Sequence, residues 1–152
     1  MGSKRLKRGV NHELFAATPP LEALRILLSQ VATRAPNRSR DPNKKRLLIM
    51  DVSRAFFYAP VEKLTYVELP DEEGLDKSKY CGRWNFSQYG TREAPGNRQG
   101  TYTKHLIDIG FVKGRASTCV FWHPQRDIEV LVHGDDYVAE VDKNDLLWFE
   151  KK

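Results

Sequence analysis

The sequence predicts a single mixed domain of helices and strands, α/β or α+β, and three observations carry that expectation. Helical and extended patterns alternate along the chain. A short continuous apolar run, Arg46–Val52, contains an internal carboxylate at Asp51. Near the C-terminal end, two apolar segments flank a Gly134-Asp135-Asp136 turn. The 152 residues are 40% hydrophobic and 11% aromatic, enough to build one core.

Each element follows from local pattern. Leu21, Leu24, Leu28 and Val31 recur at helical spacing, which predicts a helix over residues 18–33 with Thr18 as its cap and Pro19 in its first turn. Residues 35–45 hold two prolines and no large apolar side chain, and are expected to form a loop. The run Arg46–Val52 reads as a strand covered on both faces. Leu64–Leu69 and Tyr80–Phe86 read as strands around a charged loop at Asp71–Lys79. Pro95-Gly96 opens a second helix to about Ile109, and Gly110 stops it. Thr118–Trp122, Asp127–Val132 and Val138–Val141 are expected strands, with Asp142 capping a last helix over Asn144–Lys152.

Composition excludes several classes. No apolar run approaches the roughly 18 residues of a membrane span, and no signal peptide is recognisable. An intracellular setting, cytoplasm or nucleus, is therefore expected. Cys81 and Cys119 are too few for a disulfide framework and lack metal-site spacing. The net charge of +5 is uneven. Residues 1–46 hold 11 Lys/Arg against 3 Asp/Glu, a net +8, while the remaining 106 hold 14 against 17, a net −3. The basic leading part, ending in Lys44-Lys45-Arg46, is the better candidate for meeting a polyanion.

The chemistry-bearing residues are Asp51 at the end of one apolar strand and Asp135-Asp136 in the turn of a later hairpin. Carboxylates gathered at one spot are costly unless something neutralises them, and hard oxygen donors suit Mg²⁺. Either element alone is also ordinary turn chemistry, because Gly-Asp is a common hairpin turn.

Taken together, six blocks in order resemble the reverse transcriptase domain of copia-type long-terminal-repeat retrotransposons. They are Leu14–Arg25, Leu48–Phe57, Val67–Pro70, Gln88–Pro95, Gly110–Phe121 and Val132–Val138. The resemblance implies an α+β palm, an antiparallel sheet backed by two helices, with partial fingers, over residues 14–152 behind a basic segment 1–13. It implies RNA-directed DNA synthesis on an RNA template and DNA primer with a deoxynucleoside triphosphate, assisted by two Mg²⁺ or Mn²⁺ ions about 4 Å apart. Asp51, Asp135 and Asp136 would be catalytic and hold the ions, with the Val52 carbonyl a further ligand.

Phe56 stands where the family places the ring that rejects a ribose 2′-hydroxyl, and Tyr89, Gly90, Arg92 and Glu93 would lie against the nucleotide. Phe57 is expected in the core. Lys44, Lys45, Arg46 and His133 would meet the nucleic-acid backbone. The family's thumb, RNase H and integrase regions would belong to the parent polyprotein, with no membrane partner.

Departures from the family pattern motivate an alternative. Glu93 replaces a glutamine, Gly96 and Asn97 replace an arginine and a tryptophan, and His133 replaces a tyrosine. The alternative is a degenerate, non-catalytic fragment with at most weak nucleic-acid binding. An unrelated two-metal nuclease would share the carboxylates but leave Phe56 and the Gln88–Pro95 block without a reason.

Overall fold

The computed structural model describes residues 16–33 and 45–152. The basic segment 1–13, Lys44 and most of the expected 35–45 loop lie outside the described residues. The fold is α+β. Five antiparallel strands form one sheet: β1 (Lys45–Asp51), β4 (Val112–Lys113), β5 (Val120–His123), β6 (Ile128–His133) and β7 (Asp136–Asp142). Their order is β1-β7-β6-β5-β4, and β2 (Tyr66–Val67) pairs with β3 (Gly82–Arg83) in a separate small ribbon. Three helices complete it, α1 (Leu21–Ala32), α2 (Ala94–Asp108) and α3 (Leu146–Glu150).

The strand period of two sorts the sheet into unlike faces. Toward α2 point Val130 opposite Ala139 and Val132 opposite Tyr137, with Leu48 and Met50 beyond them on β1. Tyr102 and Leu106 of α2 and Phe149 of α3 close this core. The other face carries Glu129 opposite Glu140, Leu131 opposite Val138 and His133 opposite Asp136. Helix α1 lies across that second face, beside β1, β7 and β6. With its amide nitrogen turned inward, Gln30 donates to Glu129 Oε2 and Glu140 Oε2 at 3.1 Å each. The two helices expected to back the sheet thus lie on its opposite faces.

Several boundaries differ from expectation for local reasons. Thr18 does not cap α1, because the second of two consecutive prolines keeps Pro19 out of the helical region. The helix starts behind Pro20, whose carbonyl accepts the Ala23 N–H at 3.0 Å. Among the described residues strand β1 is an edge strand rather than one covered on both sides, since β7 is its one sheet neighbour there and Ile49 stays 67% exposed. The extended segments at 64–69 and 80–86 shrink to the two-residue strands β2 and β3. Asp142 caps the turn before α3: its Oδ1 accepts the Asn144 N–H at 2.9 Å, and the helix begins only at Leu146. Strand β4 was not foreseen, whereas α2 and its stop near Gly110 were.

Candidate functional site

The sheet register assembles the acidic end. Strand β1 pairs with β7 so that Asp51 stands directly opposite Asp136, and Asp136 stands opposite His133 on β6. These three side chains therefore form one row on the same face, and all three are exposed. Between His133 and Asp136 the chain reverses in the two residues Gly134 and Asp135. Gly134 has φ of +61°, which a glycine adopts without strain and which sharpens the turn. The Val52 N–H donates to the Asp135 carbonyl at 3.0 Å, tying the end of β1 to that turn.

Asp135 is held differently from its neighbours. Its Oδ2 accepts the Tyr89 hydroxyl at 3.0 Å, while Oδ1 is enclosed and has no hydrogen-bond partner among the described residues. Partial desolvation, then the bond to Asp135 and the charges of Asp135 and Asp51, raises the Tyr89 hydroxyl above its usual value. It stays a donor at neutral pH. The Tyr89 ring meets Phe56 edge-on at 4.5 Å between centroids and Phe57 at 5.9 Å. Phe57, expected in the core, is instead half exposed on this aromatic shelf.

Small residues make the shelf possible. The 3-10 turn Ala55–Tyr58 buries Ala55 and Ala59 completely, which brings it against α2. Ser87 donates its N–H to the Ala59 carbonyl at 2.7 Å, and its hydroxyl accepts from Asn97 Nδ2 at 3.0 Å. The Gln88–Pro95 block is thereby pinned beside the Asp135 turn. Gly90 has φ of +82° in the loop that presents Tyr89. Arg92 is exposed, and Glu93 sits half-buried at the start of α2 without a side-chain capping bond.

The chain supplies some of what a divalent cation needs. Asp51 and Asp136 offer opposed carboxylates, and the enclosed, unpartnered Asp135 Oδ1 is an oxygen that a cation would satisfy. Two features limit the set. Among the described residues, no group of three or more His, Cys, Asp or Glu side chains closes into a metal-holding cluster. The Val52 carbonyl already accepts the Ala55 N–H at 3.1 Å. The residues therefore offer a cation the opposed pair Asp51 and Asp136 and the Asp135 Oδ1 beside them, without a preformed cage.

The basic residues divide. Lys45, expected to meet nucleic acid, is 7% exposed and turned into the protein. Its ammonium contacts the Asp127 carboxylate at 3.1 Å and Glu140 at 3.9 Å, and it also donates to the Asp127 carbonyl. Its place on the α1 face, opposite Asp142 on β7, turns the side chain toward these internal carboxylates. Arg46, next along the alternation, is exposed and donates Nη1 to the Lys45 carbonyl at 3.0 Å.

No family model matches the chain, and no match stands out among the curated proteins or the solved structures. Among the described residues, no helix is long and apolar enough to cross a membrane.

Sequence reading named Tyr89 and Asp135 but missed the contact between them, and it missed Arg98. The Tyr89–Asp135 bond spans 46 positions and has no local signature. Arg98 is buried behind the hairpin, where Nη2 donates to the Tyr137 hydroxyl at 3.1 Å. An arginine on an amphipathic helix reads as solvent-facing, and nothing in the pattern around it signals otherwise.

Proposed function

We propose that this chain is the palm, with partial fingers, of a copia-type reverse transcriptase, an RNA-directed DNA polymerase dependent on two Mg²⁺ or Mn²⁺ ions. The observation that carries the reading is the register placing Asp51 opposite Asp136, one residue from Asp135, beside a Phe56–Tyr89 shelf. Three of the six sequence blocks, Leu48–Phe57, Gln88–Pro95 and Val132–Val138, meet there, so that Asp51, Phe56, Tyr89 and Asp135 are neighbours in space.

In this reading Asp51 and Asp135 hold the ions and Asp136 supports them. When bound, such ions activate a primer 3′-hydroxyl and stabilise the leaving pyrophosphate. Tyr89 positions Asp135, and Phe56 beneath it shapes the floor on which a deoxyribose rests. Exclusion of a 2′-hydroxyl there works by clash. Arg92 is an exposed cation beside the shelf that would turn toward phosphate, while Glu93 opposes it.

The test is extension of a DNA primer on an RNA template with Mg²⁺ or Mn²⁺. Asp135→Asn, which removes an anionic ligand, is expected to lower extension by at least about tenfold to a hundredfold, the loss typical even of groups that only orient a ligand. Extension unchanged in Asp135→Asn would remove the catalytic assignment.

A second reading is favoured by one specific observation. Tyr89 occupies Asp135 Oδ2 and Lys45 is committed internally, so the site and its basic rim are both partly closed. A non-catalytic, retrotransposon-derived fragment with weak nucleic-acid binding would show salt-sensitive binding without nucleotide addition. Robust extension excludes it.

A further inference from the structure

A pocket of about 590 Å³ lies behind the acidic row, between α2, the end of β1 and α3. Tyr102, Leu106, Tyr137 and Met50 give it apolar walls, and Arg98 is among its lining residues. Arg98 is 6% exposed. Nη2 donates to the Tyr137 hydroxyl, Nε has no acceptor, and among the described residues no carboxylate comes within ion-pair distance of the guanidinium. The rings of Tyr102 and Tyr137 approach it at 5.4 and 5.8 Å and soften its isolation. They do not neutralise it. A buried cation surrounded by neutral groups is costly, and removal of that cost is a driving force for capturing an anion.

We propose that this pocket binds a small organic monocarboxylate, its charge meeting Arg98 and its hydrocarbon part lying against Tyr102, Leu106 and Met50. Volume supports a ligand of metabolite size. One buried guanidinium matches a monoanion: Arg98 is buried, whereas the other charged residues of the lining, Asp51, Glu150 and Lys152, are exposed to solvent that screens them. Planar carboxylates suit a guanidinium, which recognises them through paired N–H groups. The proposal does not rest on polymerase activity.

Titration calorimetry on the full chain at fixed ionic strength tests it, with benzoate as probe. Benzoate is expected to bind saturably, and benzamide, the same shape without the charge, about tenfold more weakly, the worth of one charge-assisted contact. Arg98→Met is expected to lower benzoate affinity by at least a similar factor. Thr101→Phe, which fills the pocket from one turn further along α2 and keeps Arg98, is expected to abolish binding. Inorganic phosphate is expected not to displace benzoate.

No saturable benzoate binding, equal affinity for benzamide, or displacement by phosphate would overturn the proposal. So would unchanged affinity in either folded variant. Should circular dichroism show Arg98→Met unfolded, Thr101→Phe and the benzoate–benzamide contrast on the unmodified chain decide the matter.

Discussion

Toward α2, the sheet encloses Val130, Val132, Ala139 and Val141 completely, and Tyr102, Phe111 and Phe121 fill the space between sheet and helix. Its other face sets Glu129 opposite Glu140, buries Lys45 between Asp127 and Glu140, and ends in the open row of His133, Asp136 and Asp51. One face is held by removal of apolar area from water. The other is held by a polar network under α1, and toward its end it is not covered. The difference separates the two jobs of the sheet: a rigid apolar layer fixes the register, and the register then delivers carboxylates to solvent. Free energy stored on one face is what positions chemistry on the other.

The contrast can be broken most forcefully on the apolar face. Phe121, 1% exposed and edge-on to Tyr102, leaves a large cavity when truncated. Phe121→Ala is expected to cost about 4 kcal/mol in urea unfolding, and a loss below 1 kcal/mol would show that this core is loosely packed. On the polar face, Lys45→Met removes the ammonium that Glu140 and Asp127 approach. That change is expected to cost about 3 kcal/mol, and the double variant with Glu140→Leu should recover part of it in a double-mutant cycle.

Alkaline titration sharpens the comparison further. Burial raises the hydroxyls of both Tyr102 and Tyr137 above the usual tyrosine value, although the neighbouring Arg98 works against it for each. A group whose folded value is raised stabilises fully below its unfolded value of about 10 and loses that contribution as pH rises toward the folded one. At pH 11 the loss is expected to be about 1.4 kcal/mol for each tyrosine still protonated, and Tyr137→Phe should remove one share. Smallest of all, Ile49→Ser changes an exposed side chain beyond the cover of α1 and is expected to shift stability by less than about 0.5 kcal/mol.

Legibility in the sequence followed the same division. The apolar β6–β7 hairpin, the Gly134-Asp135 turn and α2 with its stop near Gly110 were readable because each is written in adjacent residues. Asp51 and Asp135-Asp136 were singled out as a pair of elements, and the register brings Asp51 and Asp136 face to face. What stayed hidden depends on distant partners. A run such as Leu47-Leu48-Ile49-Met50 does not reveal that one flank of its strand is a sheet edge. Lys45 reads as surface charge until Asp127, 82 positions away, is placed beside it. The packing of α1 and α2 on opposite faces is likewise a property of the whole sheet, since each helix separately shows only one apolar stripe.

The pairing of Lys45 with Asp142 through to Asp51 with Asp136 has an implication for how this chain accepts changes in length. Each step along β1 swaps the side a residue looks toward. Loss of one residue between Lys45 and Asp51 would carry the carboxylate around to Tyr137 and the apolar layer, or drag Lys45 out of its polar niche. The exposed stretch from Asp71 to Lys79 carries no such parity and could lengthen or shorten freely. Insertions and deletions are thus filtered by odd and even counting in one strand and not at all in the neighbouring loop.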